Sequence, residues 1–564
     1  MVHARCLVVV ILLVTAAYVA APVTASSADD PALARLIDRA LAVSTPTRST
    51  VEYAQAAAAY RAIRGDLERF HPARVTLEDE VDADLLRSFL DVQIHEIETV
   101  RLHELAPASY FALRVTDSLF VRPCSRTDRT VRLAVQELRQ LPAILASAKA
   151  NLKVPARVWT ENALAEADNA VVLLGDELPT ACVDDPALKV ELLSEGQRAL
   201  QAVKMYRAWL KEVLLPRSTR SPAWAPELMD VYQREREQRD GYTLDKMLQV
   251  AEGEEVACRE QMAALARRIH PSGDLRRVWE TMKEAAPPWE EVLPQARDDV
   301  RRATEWLAKP GNAVVTIPGT LDWGVQVTSP LYRRSYSFGG SCQGHNMAGR
   351  RSGYYVLTPP EQGLTPEERT SMLKGYNPYW MHVISYHEWL GHVVHFAIDE
   401  DLVTRPMRQA GEANLTQAWA FYLEKLLEDK GYFETLPYAE RLKTQMARLQ
   451  MRMWRVQRIL TKLRMARGEM TFEQAVDAYV NEIGMERRAA FIEVQRDSQG
   501  PQPPGAEIIG ELQLISLRDE YQRRMGEHYS LQQFHDALLR YGQLPFKQIR
   551  RLMFGGDIGR NEGK

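Results

Sequence analysis

The stretch that decides the fold runs from Tyr386 to Phe396 and reads "YHEWLGHVVHF". It is similar to the motif His-Glu-x-x-His, in which two imidazoles one helical turn apart hold a metal and the glutamate activates a water. His387 and Glu388 occupy the first two positions, but the next histidine, His392, follows His387 by five residues instead of four. The stretch predicts a metal-dependent hydrolytic centre only if the helix can bring these two histidines together.

Two registers of this helix would group its polar side chains. On a regular helix five residues place His387 and His392 about 140° apart, too far round to share one metal. A π-bulge accommodates one inserted residue and is often found at functional sites, and Gly391 lies where such a widening is needed. The alternative register is Glu388, His392 and His395, whose steps of four and three share one face without distortion. The spacing leaves both registers open.

A second helix is predicted from Asn414 to Phe433, "NLTQAWAFYLEKLLEDKGYF". Its apolar residues form one stripe: Leu415, Ala418, Trp419, Tyr422, Leu423 and Leu426. Gly431 is a natural C-terminal stop. Gln417, Phe421 and Glu424 form a neighbouring stripe.

A small sheet is predicted just before the histidine helix. Three short runs carry β-branched or aromatic residues: Val314 to Ile317, Val325 to Thr328 and Tyr354 to Leu357. An edge strand beside a cleft can hold an extended peptide by backbone hydrogen bonds, and a structural hairpin is the alternative. The segment from Thr365 to Glu368 then predicts a capping box with proline at the first helical position.

Long amphipathic helices are predicted from about Asp30 to Ala308, as in "VDADLLRSFLDVQIHEIETVRLHEL". The predicted fold class is therefore mainly α, with a small β-sheet beside the active-site cleft. We expect an N-terminal helical lobe over residues 26–300. A second lobe over residues 301–564 would carry the sheet and the "HEWLGH" helix.

The first residues, "MVHARCLVVVILLVTAAYVAAPVTASSADD", have one arginine, an apolar run from Cys6 to about Ala21 and then small residues up to Ala25. This order predicts a signal peptide over residues 1–25 and a secreted or periplasmic mature protein. An uncleaved membrane anchor is the alternative, but the run is shorter than the ~20 residues that a spanning helix needs. We expect no membrane association after cleavage.

Composition excludes one class of partner. The 564 residues carry a net formal charge of −4, with acidic and basic residues interspersed, so no basic field is available for nucleic acid. After the signal segment the cysteines are widely spaced and include no Cys-x-x-Cys pair. Cys124, Cys182, Cys258 and Cys342 could form disulfides in an exported protein or remain buried thiols.

The pairing of the histidine helix with "QAWAFYLEKLLEDKGYF" resembles the bacterial domain-of-unknown-function family 885. The family pattern is His-Glu-x-x-Pro-Gly-His followed by Glu-Gly-Trp-Ala-x-Tyr-x-Glu. Further similar segments occur in family order and extend the resemblance over most of residues 30–555: "MYRAWLKEVLLPRS", "VVTIPGTLDWGVQVTSP", "FEQAVDAYV" and "LQQFHDALLRYGQLPFKQIRRL". The resemblance implies an all-helical fold of the angiotensin-converting-enzyme and oligopeptidase type of zinc peptidase.

The resemblance also implies roles for single residues. His387 and His392 would hold zinc, Glu388 would be the general base, and the third ligand would come from position 417. That position is Gln417 where the family has glutamate, and a neutral glutamine is a much poorer zinc ligand than a carboxylate. Substitutes would be Glu412, Glu424 or His395.

Other positions also depart from the family pattern. The family proline before Gly391 is missing, which brings His392 one place early. "LRMA" at Leu463 to Ala466 lacks the histidine of the family's Thr-Gly-Ile-His stretch. "PPGAEIIGELQL" has no tyrosine before Tyr521, so the sequence identifies no donor for the oxyanion of a tetrahedral intermediate.

Two functions are therefore expected from the sequence. The first is an exported zinc-dependent peptidase that hydrolyses peptides or small proteins through a metal-activated water, with Glu388 moving the proton. The second is a catalytically impaired relative that keeps the cleft as a peptide-binding or scaffolding module. Gln417 and the missing late tyrosine separate the two.

Overall fold

The structure is a computed structural model that describes residues 28–70, 76–121, 128–319, 321–333, 336–343, 351–361, 363–402, 405–410 and 414–555. The predicted signal peptide, Cys124 and Glu412 lie outside the described residues, as does the side chain of Cys342. Within the described residues Cys182 and Cys258 are free thiols, the first exposed and the second buried. No helix in this part of the chain is both long enough and apolar enough to cross a bilayer.

The fold is mainly helical, as predicted, and the described residues before the sheet contain twelve α-helices. They are α1 (Pro31–Ala42), α2 (Thr50–Glu68), α3 (Leu77–His95), α4 (Arg114–Val121), α5 (Asp128–Asn151), α6 (Arg157–Val172), α7 (Pro186–Trp209), α8 (Leu215–Arg217), α9 (Pro226–Val231), α10 (Leu244–Ile269), α11 (Leu275–Lys283) and α12 (Trp289–Leu307). Short π-helical segments extend several of them: Glu96–Val100, Leu173–Glu177, Leu210–Leu214 and Tyr232–Glu237.

Helices also dominate the chain after the sheet. They are α13 (Pro366–Lys374), α14 (Pro378–Tyr386), α15 (Val394–Leu402), α16 (Pro406–Ala410), α17 (Asn414–Asp429), α18 (Tyr438–Ala466), α19 (Phe472–Ile483), α20 (Arg487–Ser498), α21 (Ile508–Met525), α22 (Leu531–Leu539) and α23 (Phe546–Phe554). A π-helical segment, His387–Val393, joins α14 to α15.

Local sequence signals fix several helix ends. The capping box predicted at Thr365 is present: its hydroxyl accepts the N–H of Glu368, whose carboxylate accepts the N–H of Thr365, and Pro366 opens α13. The stop predicted at Gly431 is also present, with a backbone φ of 88° just after α17.

Three strands form the predicted small sheet in the order β1-β3-β2, with β1 (Leu321–Val327), β2 (Gly339–Gln343) and β3 (Arg351–Leu357). β3 is parallel to β1 and antiparallel to β2, so β2 is an edge strand. The sheet confirms two predicted runs with shifted ends.

The strand predicted from Val314 to Ile317 is wrong, because side chains of helix α22 form hydrogen bonds with the backbone of this segment. His535 Nδ1 lies 2.7 Å from the Val314 carbonyl oxygen, and the N–H of Thr316 donates to Asp536 at 2.8 Å. A segment held by side chains in this way has no need of a partner strand.

Two hydrophobic cores hold the helices together. The larger core joins α1–α3 to the histidine helix, α17 and α18, and the smaller one is built from residues 108–214 with Leu331. The division into lobes near residue 300 stays a prediction. The larger core positions the candidate site, because the two helices expected to carry it pack against each other there.

Candidate metal centre

The extra residue of the histidine motif is absorbed by the π-helical segment His387–Val393, which confirms the predicted widening. As a result, possible ligand atoms of His387, Glu388 and His392 all lie within 4.8 Å of one another. The two imidazole rings are 5.0 Å apart, centre to centre. Five-residue spacing is therefore compatible with one shared centre in this fold.

Gly391 allows the histidine helix to approach α17 closely. A Cβ atom at residue 391 would lie 2.4 Å from Cβ and 2.6 Å from Cα of Ala420, far inside normal contact. Ala420 lies on α17 between Gln417 and Glu424, at steps of three and four that share one helical face. The close approach therefore brings the polar stripe of α17 to the two histidines.

Glu424 is the residue of that stripe that reaches His387. Its Oε1 lies 2.8 Å from His387 Nδ1, and both side chains are buried. Arg455 of α18 approaches the same carboxylate oxygen at 3.6 Å. Nδ1 of His387 and Oε1 of Glu424 are in ion-pair range, but their geometry does not make a hydrogen bond in the described structure. A carboxylate beside one ring nitrogen can orient an imidazole and leave the other nitrogen for a ligand. The role of Glu424 as a substitute ligand stays a prediction.

The environment favours neutral imidazoles. Burial lowers the pKa of His387 and of His392 well below the usual histidine value, and nearby positive charge on Arg455 acts in the same direction. Neutral imidazole is the form that binds a metal. The Nδ1 atom of His392 is buried and has no hydrogen-bond partner in the described part of the chain. In a neutral imidazole such a nitrogen can offer its lone pair to a metal.

Glu388 lies on the same buried surface with a raised proton affinity. Burial raises the pKa of its carboxyl to about 7, although Arg455 and a hydrogen bond from Ser341 of β2 oppose the rise. Its Oε2 has no hydrogen-bond partner among the described residues. A carboxyl with this pKa can both accept and return a proton near neutral pH.

The remaining predicted residues fall into three groups. Gln417 is half-buried and lines the same cleft as His387, Glu388 and His392. His395 is fully buried, stacks against Phe396 and does not line this cleft, so the alternative register is not the one brought together. Glu412 lies outside the described residues.

A cleft with about 1470 Å³ of empty space, open solvent at its mouth included, adjoins these side chains. One wall contains Gly339, Gly340 and Ser341 of β2. The opposing residues come from α18, α20 and the segment after α20: Arg455, Arg458, Lys462, Arg496 and Gln502. The cleft is open to solvent, so a chain segment can enter it from the surface.

The structure also brings in residues that sequence reasoning missed. Tyr336 lines the cleft, and its hydroxyl is buried without a hydrogen-bond partner in the described chain. Tyr355 of β3 lines it too, and Glu388 contributes to raising the pKa of both tyrosines after burial. Tyr336 belongs to no local motif, so only the folded chain could indicate that it lines the same cleft as Glu388.

The sequence profile of a bacterial protein family of unknown function, DUF885, matches residues 38–553. The chain belongs to this family. No curated protein matches the sequence. The family membership confirms the resemblance inferred from the two helical motifs, and it leaves the activity open because the family has no established function.

Two solved structures share the fold. One is described as a "putative lipoprotein of unknown function" from Shewanella oneidensis, with 19% identity and a TM-score of 0.70 over 92% of this chain and 98% of that one. The other, a "putative lipoprotein" from Colwellia psychrerythraea, has 17% identity and a TM-score of 0.69 over 89% and 90%. At this identity the similarity shows the fold alone.

Proposed function

We propose that this DUF885 protein is an exported, metal-dependent peptidase of zinc-peptidase type. The observation that carries the proposal is the convergence of His387, Glu388 and His392 within 4.8 Å on the wall of a large cleft. Export is supported by the N-terminal signal pattern, and two proteins of the same fold are described as lipoproteins. The partner would be a peptide or small protein, with no nucleic acid.

The donor set fits a zinc ion. Two neutral imidazoles are suitable ligands, and Glu424 behind His387 is the carboxylate partner that such a histidine usually has. Gln417 would complete the site with a neutral amide oxygen. The chemistry that such an ion supplies when bound is Lewis acidity toward the scissile carbonyl and the attacking water.

Glu388 would move the proton. Its carboxylate would accept a proton from the attacking water, and the protonated acid would then donate it to the nitrogen of the leaving amine. The pKa of about 7 suits both steps, because neither form is strongly disfavoured at neutral pH. The hydrogen bond from Ser341 would hold the carboxylate in place during this exchange.

Tyr336 would supply the hydrogen bond that the sequence left unassigned. Its buried hydroxyl lines the cleft near Glu388 and has no partner in the described chain. Donation to the developing oxyanion would occur in a site shielded from water, where such a bond contributes several kcal/mol. The edge strand β2 would align the peptide backbone beside these groups.

A peptide-binding module without catalysis is the second candidate function. It is favoured by Gln417, since a neutral ligand at this position weakens the hold on zinc. The cleft, the edge strand and the buried charges would then bind a peptide without cutting it. Metal content separates the two functions.

The first experiment measures metal in the mature protein, purified without chelator, by elemental mass spectrometry. We expect about one zinc per chain in the wild type and its loss in His392→Ala. His395→Ala is the matched control, because it removes a buried histidine from the same helix but not from the cleft. Absence of metal from the wild type after zinc is supplied, or equal metal in all three proteins, would contradict the proposal.

The activity arm uses Glu388→Gln and a mixed peptide library analysed by mass spectrometry. Loss of general-base catalysis should lower cleavage by about 10²–10⁴-fold while zinc content stays unchanged. Unchanged cleavage would remove Glu388 from the mechanism. Bound zinc without cleavage by the wild type would favour the binding module.

A further inference from the structure

A row of cationic side chains on α18 faces the cleft. Arg455, Arg458 and Lys462 follow one another at steps of three and four residues, so they share one face of the helix. Arg496 of α20 lines the same wall. These four cations share the lining of the cleft with three carboxylates, those of Glu493, Asp497 and Glu507.

Two arginines of this wall, Arg458 and Arg496, are paired with carboxylates. Arg458 lies 3.3 Å from Glu493 and 3.7 Å from Asp497, and it also forms an ion pair with Glu507. Arg496 lies 2.6 Å from Glu493 and 3.8 Å from Asp497. Their charges are therefore neutralised by the protein, and they hold the wall in place.

Lys462 differs from its neighbours. It is only 7% exposed, yet within the described part of the chain it makes no hydrogen bond or ion pair. The negative charge of Asp497 raises the pKa of Lys462, and the positive charge of Arg236 lowers it. An ammonium on a side chain with so little exposure loses part of its hydration, and no carboxylate in the described chain pairs with it in return. A ligand carboxylate in the cleft would offset this loss.

Gln502 provides a second polar group without a partner. It is 2% exposed and lines the cleft, and neither its amide oxygen nor its amide nitrogen is hydrogen-bonded in the described structure. Gly500 leaves the space for this amide, since a Cβ there would lie 2.1 Å from Oε1 of Gln502. Buried amides are normally hydrogen-bonded, so this amide has donor and acceptor capacity to offer to a group that enters the cleft.

We infer that Lys462 and Gln502 form a subsite that binds a carboxylate of the peptide in the cleft, an inference that rests on the proposed function. The ammonium and the amide N–H groups would donate to the two carboxylate oxygens. The carboxylate could be the C-terminus of the peptide or an acidic side chain. A C-terminal carboxylate would make the enzyme act near the end of its substrates.

The test compares three peptides that differ only in carboxylate: acetylated tetraalanine with a free C-terminus, the same peptide amidated, and an amidated form with one glutamate. Binding to the full mature protein is measured by calorimetry after treatment with chelator, so that no peptide is cut. We expect a carboxylate peptide to bind about tenfold more tightly than the neutral amide, the size of one hydrogen bond to a charged group. The free-terminus and glutamate peptides tell which source of carboxylate the subsite accepts.

Lys462→Met should abolish this preference, and Gln502→Ala should reduce it. Lys443→Met is the matched control, because Lys443 lies on the same helix but outside the cleft, where it donates to Tyr379. Removal of an unpaired buried charge should not unfold the protein. A preference that survives Lys462→Met would overturn the subsite, and so would one lost in His392→Ala instead.

The same titrations at different pH values provide a further check. Burial lowers the pKa of Lys462 to about 8, so the ammonium is present below that pH and is lost above it. Asp497 and Arg236 are the charged groups that shift the pKa of Lys462. Glu388 in the same cleft has a pKa of about 7, so it gains negative charge as the pH rises and weakens carboxylate binding in every variant that keeps it. The preference should decline from pH 7 to pH 9 in the wild type, and the decline should be smaller in Lys462→Arg.

Two failures can be told apart. Equal binding of neutral and carboxylate peptides would overturn the subsite and leave the proposed peptidase with a cleft that still takes peptides. Absence of binding by all three peptides would overturn the subsite together with peptide recognition. Metal content and Glu388→Gln test the catalytic proposal independently of both.

Discussion

Gln417 lies where the family pattern has a glutamate, and it lines the cleft beside His387 and His392. A carboxylate at this position would add a negative charge next to the candidate cation site. We therefore predict that Gln417→Glu binds zinc about 10 to 100 times more tightly than the wild type, the range over which single changes around a metal site alter affinity. Competition with a fluorescent zinc chelator measures the change.

The control for this prediction adds a carboxylate elsewhere on α17. Lys425 is 45% exposed and points away from the cleft, so Lys425→Glu changes the charge of the helix without supplying a ligand. If both variants alter zinc affinity equally, residue 417 has no direct contact with the ion. Glu424 would then be the main carboxylate influence on the site, acting through His387 Nδ1.

At the scale of elements, the contact between the π-helical segment and α17 depends on Gly391. A methyl group at this position would overlap the backbone of Ala420, so the two helices would have to separate. Gly391→Ala should lower the free energy of unfolding by about 1–3 kcal/mol, the usual cost of overpacking. Urea denaturation followed by tryptophan fluorescence provides the measurement.

Gly253→Ala is the matched control, because Gly253 is an exposed helical glycine of α10 with nothing within 4 Å of its added Cβ. Helix propensity predicts a gain of roughly 0.5–1 kcal/mol at this position. A loss at Gly253 as large as that at Gly391 would mean that the glycine effect is general. The close contact between Gly391 and Ala420 would then not explain the loss of stability in Gly391→Ala.

Sequence reasoning predicted the elements whose signals are local. One surplus residue between His387 and His392 made a π-helical segment one of two possible registers, and the capping box at Thr365 fixed the start of α13. β2 could not be predicted, since "GGSCQ" lacks the β-branched residues that mark strands and is held only by pairing with β3. Val314 to Ile317 has the strand composition, but α22 takes its hydrogen bonds.

The candidate site divides in the same way. His387, Glu388, His392 and Gln417 could be named from spacing and family resemblance. Glu424 could be named from its stripe on the second helix, but its position beside Nδ1 of His387 could not. The positions of Tyr336, Lys462 and Gln502 in the cleft follow from contacts between elements that are distant in sequence. Lys462 in particular lies in an amphipathic helix where a lysine is usually solvated, so its burial could be recognised only from packing.

At the scale of the whole molecule, the N-terminal helices are fastened to the chain that follows the histidine helix by a buried ion cluster. Arg405 donates to Asp79 at 2.5 Å and to Asp82 at 2.6 Å, both on α3 and both almost completely buried. Asp79 also accepts the N–H groups of Asp29 and Asp30. One arginine therefore joins α3, the start of α1 and the segment before α16.

Arg405→Met should destabilise the protein by about 3–5 kcal/mol, because it leaves the buried carboxylate of Asp79 without its cation and that of Asp82 with only Arg408, at 3.8 Å. The urea midpoint measures this loss. Arg487→Met is the control: Arg487 also pairs with two carboxylates, Asp477 and Glu473, but all three are exposed, so its midpoint should hardly change. If the two variants shift the midpoint equally, the cluster at Arg405 does not connect the N-terminal helices to the site. The larger hydrophobic core would then hold them in place without it.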